Sequence, residues 1–227
     1  QLLDPLKETP MLEIGQKTSK CYSYTFYQRD AVLTADYKAG ASQETITQHA
    51  QAYGNGNISY QIFKNYPTGK VATTDRLGTT NILCEETNER PEWQLHPDTM
   101  TILSYACRKA TCRFKGRDYT AWHTMDVPVS EGPWKLHGLP GLIIKAEDSR
   151  GHFAFTCTGL EQRREAKPIL IHTKGREKLN RKELDKMYER FYTDPIGFLA
   201  ATSPNVTINI TDGQGNPIQK YSVPYNP

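Results

Sequence analysis

Three histidines carry the most versatile side-chain chemistry in this sequence. His123, His137 and His152 fall on consecutive segments that the hydrophobic pattern predicts to form hairpins. Zinc and copper accept imidazole together with thiolate or carboxylate, so Cys157 or Asp126 would complete such a site. Tightly spaced signatures such as C-x-x-C or H-E-x-x-H are absent. A metal site or a hydrolase built on the three histidines is one hypothesis, and hydrogen-bonded or surface histidines are the competing one.

The sequence has five cysteines, so at least one thiol stays unpaired in an oxidising compartment. Cys107 and Cys112 lie beside basic residues that would favour a reactive thiolate, but no plausible general base accompanies them. Their odd separation places them on opposite faces of an uninterrupted strand, so a bond between them requires a bulge or a turn. We predict a Cys107–Cys112 disulfide around a local bulge. The other cysteines are interpreted as small buried hydrophobic residues: Cys21, Cys84 and Cys157.

Glycine, proline and large apolar residues are concentrated at 132–143, which we call the Pro-Gly corner. Pro140 presets φ at the second position of a type II turn, and Gly141 supplies the positive φ of the third. As a binding element, the corner would place an apolar lip and a few charges around a pocket. The predicted ligand-binding residues are Trp134, Leu136, His137, Leu139, Arg117 and Trp122. The alternative is a conformational lock in which Trp134 fills the core.

Many short alternating segments separated by turns must position these residues. Strands are predicted at 11–14, 58–63, 70–74, 79–84, 101–114, 119–125, 142–146, 153–158, 206–210 and 219–223. Helices are predicted at 43–53, capped by Ser42, and at 181–192, where Asn180 and Glu183 have capping-box spacing. The alternation at 22–26 fits either a strand or the start of a helix. We therefore predict an α+β fold, mainly β with α: one domain spanning 1–227, with a curved antiparallel sheet or partly open barrel and two or three packed helices.

The composition excludes several functional classes. A net charge of +3 with interspersed signs lacks the concentrated basic surface of a nucleic-acid-binding protein. No apolar run approaches the roughly 20 residues of a transmembrane helix. The chain begins Gln1-Leu2-Leu3-Asp4 without a basic leader, so we expect that a signal peptide has been removed ahead of it.

Motifs along the whole chain resemble those of the GLPGLI family, exported proteins of Gram-negative gut and oral bacteria. The resemblance rests on the elements LEIG at 12–15, SKCYS at 19–23, YPTGK at 66–70, GRDYTAW at 116–122, GLPGLI at 138–143 and YNP at 225–227. Cys21 and His123 depart from this pattern, because aromatic residues are common at both positions. The resemblance implies export to the periplasm or cell envelope, or secretion, and it implies no particular reaction.

Together these observations favour an exported, non-enzymatic protein that binds a small ligand or an envelope protein partner. No cofactor is predicted apart from the metal of the alternative hypothesis. That alternative is a metal-binding protein or hydrolase using His123, His137 and His152.

Overall fold

The computed structural model describes residues 9–53, 59–163, 165 and 168–202. Within these ranges the chain is mainly β with helices, which confirms the predicted α+β class. Its strands divide between two open, largely antiparallel sheets. The predicted strands at 206–210 and 219–223 lie outside the described residues.

Eleven strands and four helices occur in the described ranges. In chain order the strands are β1 (Pro10–Ile14), β2 (Ser19–Ser23), β3 (Gln61–Lys64), β4 (Lys70–Leu77), β5 (Thr80–Thr87), β6 (Gln94–Ile102), β7 (Tyr105–Phe114), β8 (Arg117–Thr124), β9 (Leu142–Asp148), β10 (Ala154–Thr156) and β11 (Glu177–Leu179). The helices are α1 (Tyr24–Ala39), α2 (Gln43–Ala52), α3 (Arg181–Thr193) and α4 (Pro195–Thr202). Across the described chain, none of these helices has the length and apolarity needed to cross a bilayer.

Sheet A has the strand order β1-β2-β3-β4-β5-β11. Neighbouring strands in sheet A are antiparallel, except that β11 runs parallel to β5. Side chains alternate between the two faces of a strand. Cys21 and its partner Ile62 therefore share one face with Ser19, and Lys20 and its partner Phe63 share the other. We call the first the inner face, because it packs on the Pro-Gly corner, and the second the outer face.

Sheet B has the order β10-β9-β8-β7-β6 and is antiparallel throughout. Two-residue turns with positive φ at both positions join β6 to β7 at 103–104 and β7 to β8 at 115–116. Such type I′ turns match the twist of the strands they connect. The predicted strand at 101–114 is wrong at its start, because Leu103 and Ser104 reverse the chain without the usual Asn-Gly or Gly signal.

The helices begin where side chains satisfy their first amide groups. The segment 22–26 contains both predicted alternatives: the strand ends at Ser23, whose side chain then caps α1. Ser42 caps α2, and Asn180 and Glu183 form the predicted capping box of α3.

Both sheets bury side chains on both faces. Helices α3 and α4 cover part of the inner face of sheet A, where Leu77, Ile82 and Cys84 meet Leu184 and Phe198. On the outer face, Ile169 and Ile171 pack on Phe63, Ala72 and Leu83. One face of sheet B packs under the Pro-Gly corner, and the other carries Cys107, Leu142 and Ile144.

The predicted Cys107–Cys112 disulfide is wrong, because all five thiols are free. Strand β7 pairs with β8 in continuous register from Arg108 to Phe114, so no bulge turns the two thiols toward each other. Cys112 lies in the cluster under the corner, and Cys107 lies in the cluster on the opposite face. Burial raises the pKa of the four most buried thiols, which disfavours the reactive thiolate: Cys21, Cys84, Cys107 and Cys112, the last to about 12.

Thiol accessibility provides a direct check of this arrangement. Alkylation of the native protein is expected to modify the half-buried Cys157 first and the four buried thiols much more slowly. After denaturation without reductant, intact mass should show five alkylated thiols. Three modified thiols at that stage would reveal a disulfide and contradict the structure.

Candidate functional site

The Pro-Gly corner is held by side-chain donors on its carbonyl groups. Five consecutive carbonyls, at 136–140, each accept a hydrogen bond from a side chain. The bonds are Lys64 Nζ to Leu136 O at 3.1 Å, Trp93 Nε1 to His137 O at 2.8 Å, Arg90 Nη2 to Gly138 O at 2.5 Å, Ser130 Oγ to Leu139 O at 2.8 Å and His123 Nδ1 to Pro140 O at 2.9 Å. Carbonyls that lack a strand partner need such donors when they are buried. This arrangement is that of a conformational lock.

Lys64, at the end of β3, is the cation beneath the corner, and it is 1% exposed. Its Nζ donates to Gly132 O at 2.6 Å and to Leu136 O at 3.1 Å, and it pairs with Glu131 Oε2 at 2.6 Å. Ser19 Oγ donates to the same carboxylate oxygen at 2.9 Å. Burial lowers the pKa of Lys64, and Glu131 opposes that shift. Lys64 thereby joins the inner face of sheet A to the loop that covers sheet B.

Two glycines allow the corner to approach the strands beneath it. Gly141 has φ +102°, as predicted for the third position of the turn, and a Cβ there would overlap the Thr124 carbonyl. At Gly132 a Cβ would lie 2.8 Å from Ile143 Cδ1. These contacts require glycine at both positions for steric reasons.

The predicted apolar lip is part of the core. Leu136 and Leu139 are 0% and 1% exposed, so neither offers a surface to a ligand. Trp134 packs on Cys21 and its neighbours in sheet A and on the rings of Phe114 and Tyr119 in sheet B. The indole therefore fills the space between the sheets, which is the role of the alternative interpretation.

Trp122 and Arg117, two further residues of the predicted ligand-binding set, also lie apart from any common pocket. Trp122 packs on the opposite face of sheet B, in the cluster of Cys107. Arg117 forms a buried ion pair with Asp148, with 3.0 Å between Nη1 and Oδ2, and its guanidinium stacks on Phe153 at 4.7 Å. Burial raises the pKa of Asp148, but hydrogen bonds from the Phe153 amide and Arg117 outweigh it and leave that pKa lowered.

The three candidate metal-binding histidines have separate roles in the structure. His123 is buried and donates to Pro140 O, His137 Nε2 lies 3.2 Å from Glu89 O, and His152 Nδ1 lies 3.0 Å from Arg117 Nη1. Within the described parts of the chain, no three His, Cys, Asp or Glu side chains form a group that could hold a metal ion. The predicted three-histidine centre is thus not assembled here.

His123 nevertheless has one unusual property. It is 2% exposed, and its Nε2 finds no hydrogen-bond partner among the described residues. Burial lowers the pKa of His123, and nearby Arg108 adds to that shift while the bond to Pro140 O opposes it. The neutral imidazole, with its proton on Nδ1, is therefore the form that fits this position.

A groove of about 410 Å³ lies elsewhere, on the outer face of sheet A. Strands β1 to β4 form its floor, Tyr27 and Asp30 of α1 line one wall, and residues 168–172 with Arg176 line the other. Its volume falls within the range of pockets that hold small molecules, about 300–1,000 Å³. The groove and the Pro-Gly corner occupy opposite faces of the same sheet.

Lys20 of β2 provides a cation inside this groove. Its Nζ lies 4.3 Å from the centroid of Tyr22 and 5.6 Å from the centroids of Tyr27 and Phe63. Burial lowers the pKa of Lys20, and Glu13 opposes the shift. Cation–π contacts thus hold the ammonium in place at the floor of the groove.

Sequence reasoning missed this groove because its lining comes from α1, β1 to β4 and the segment at 168–176, which are distant along the chain. The alternation in β2 gave a partial signal, since it places Lys20 on the face opposite Ser19 and Cys21.

Comparisons with known proteins support the fold more strongly than any activity. The profile of a family described as "Protein of unknown function (Porph_ging)" matches residues 113–145. These residues run from the end of β7 through the Pro-Gly corner into β9. The match does not extend to the rest of the chain and does not confirm the GLPGLI name. No curated protein matches the chain.

Two solved structures of PNGF-II resemble this fold. The one in the C2 space group has a TM-score of 0.53 and 14% identity over 79% of this chain, and the one in P21 has 0.51 and 12% over 81%. This chain spans only 29% and 30% of the length of those two chains. At such identities the likeness concerns the fold alone.

The buried imidazole of His123 predicts that the stability of the folded state falls in acid. Because the pKa of His123 is lowered in the folded state, the unfolded chain binds a proton first as pH falls below about 6.5. Stability should therefore be retained above that pH and decline below it, by up to about 1.4 kcal/mol per pH unit for this group. In urea unfolding, the free energy of unfolding of His123→Asn should fall less between pH 7.5 and pH 5 than that of the wild type.

His172→Asn is the matched control, since His172 is exposed, and it should retain the wild-type pH dependence. An identical acid-induced loss in His123→Asn and the wild type would contradict the assignment.

Proposed function

We propose that this chain is a binding domain of an exported envelope protein and that it holds its ligand in the outer-face groove. The proposal keeps the binding role inferred from the sequence and moves the site from the Pro-Gly corner to the groove. One observation carries it: a cation fixed on aromatic rings lies in a groove of ligand size. In ligand pockets, a few placed polar groups fix the orientation of the ligand.

The burial of the corner supports this relocation. Its leucines are buried and its carbonyls at 136–140 are already bonded, so it has little left to offer a ligand. A rigid corner would instead hold the two sheets in a fixed relation and preserve the shape of sheet A beneath the groove. Preformed sites lose less conformational entropy on binding.

Export rests on the resemblance of the motifs to the GLPGLI family. Four of the five free thiols are buried, and their raised pKa values would slow oxidation outside the cytoplasm. Immunodetection of the natively expressed protein in envelope or periplasmic fractions tests this half of the proposal, and a purely cytoplasmic signal would contradict it.

Fragment mapping tests the binding half. Amide shift perturbations from a fragment library, recorded by NMR on the isotopically labelled protein, are expected to concentrate on Lys20, Gln61 and residues 169–172. Gln61→Trp places an indole in the groove and should remove these perturbations. Gln94→Trp, on the exposed edge strand β6, should leave them unchanged.

Perturbations that concentrate on the Pro-Gly corner, or that persist in Gln61→Trp, would contradict the proposed site.

A further inference from the structure

Among the described residues, three lysines have their pKa lowered by burial, and they differ in what compensates the charge. Lys64 pairs with Glu131 and donates to two carbonyls. Lys135 pairs with Glu86. The Lys20 ammonium forms no hydrogen bond or ion pair with any described residue and lies over aromatic rings, while Glu13 acts on its charge from the neighbouring strand. Ammonium groups withdrawn from water are normally paired with an anion, and of these three lysines the half-buried Lys20 is the one without such a pair.

The cross-strand carboxylate favours the charge on Lys20 without forming an ion pair with it. Glu13 is the cross-strand partner of Lys20, but its Oε1 accepts the Tyr22 hydroxyl at 2.9 Å. The Lys20 ammonium is instead placed over the Tyr22 ring, with its centroid 4.3 Å away. In this arrangement the ammonium faces the groove and can still form an ion pair with an anion.

The wall formed by residues 168–172 and Arg176 contains an apolar run. Residues 168–171 read Pro-Ile-Leu-Ile, and Leu170 is 61% exposed. Ile169 and Ile171 pack on Phe63 and extend the core cluster toward the groove. A ligand seated against this wall would bury apolar surface on one side and meet the ammonium on the other.

Acidic side chains limit the charge that such a ligand can carry. Glu13 and Asp30 line the same groove as Lys20 and Arg176, and the Arg176 guanidinium already donates to backbone carbonyls. A polyanion such as phosphate would meet repulsion from both acids. A single negative charge on an otherwise apolar molecule fits the groove better than either a neutral or a multiply charged one.

We propose that the groove binds a monocarboxylate with an apolar body, with the carboxylate paired to the Lys20 ammonium and the body against residues 168–171. This inference rests on the proposed binding function and adds the chemical class of the ligand. Carboxylate–ammonium pairs are strong when they are partly withdrawn from water.

Hexanoate and its neutral isostere hexanamide are suitable probes, with NMR shift mapping and titration on the full chain. Hexanoate should perturb groove residues and bind at least about tenfold more tightly than hexanamide, a ratio that corresponds to one charge-assisted contact. Inorganic phosphate should bind more weakly than hexanoate.

Lys20→Gln should abolish the preference for hexanoate, and Lys20→Arg should retain it by keeping the charge. Lys17→Gln removes the same charge from an exposed position next to β2 and should leave the preference intact. Lys20→Arg keeps the test valid if Lys20→Gln folds poorly.

Equal affinity for hexanoate and hexanamide, or a preference that survives in Lys20→Gln, overturns the inference. If library fragments perturb the groove while hexanoate does not, the ligand class is wrong and the binding role stands. If no compound perturbs the groove, both proposals fail.

Discussion

A lysine ammonium buried between the two sheets is the interaction on which the arrangement of this protein depends. Lys64 projects from the inner face of sheet A and binds Glu131 and two carbonyls of the Pro-Gly corner, which itself covers sheet B. An ammonium withdrawn from water is costly unless several partners compensate it. The compensating groups all belong to the corner or its approach, so the loop must take one conformation for the lysine to be tolerated. The glycine turns and Trp134 then complete the packing that this single contact enforces.

The two faces of sheet A consequently have different roles. In β2, Ser19 and Cys21 point inward to the corner, while Lys20 points outward to the groove. The inner face uses its lysine for structure, with every donor directed at protein acceptors. On the outer face, the Lys20 ammonium lies over aromatic rings at a position open to a ligand. One strand therefore supports both the lock and the proposed binding site, and stiffness in the first would preserve the geometry of the second.

Much of this fold could be predicted from local patterns. Period-two alternation located most of the strands, the Ser42 and Asn180 caps located α2 and α3, and Pro140-Gly141 located the turn of the corner. The reversal at Leu103–Ser104 was missed because its positive φ values have no glycine to announce them. The disulfide was mispredicted because an undisturbed ladder between β7 and β8 keeps the two cysteines on opposite faces. The roles of Lys64 and Lys20 could not be read from sequence, since each depends on partners far along the chain.

The unfolding free energy of Lys64→Met tests the central claim most directly, with Lys70→Met as the matched control. Lys70 lies in the same sheet and is also ion-paired, with 3.7 Å to Glu85, but it is 52% exposed. Removing the buried ammonium leaves Glu131 and two carbonyls without this partner, so Lys64→Met should lower the free energy of unfolding by about 3–5 kcal/mol. Lys70→Met should lower it by less than about 1 kcal/mol. Equal costs for the two variants, or a gain in stability in Lys64→Met, would contradict the account.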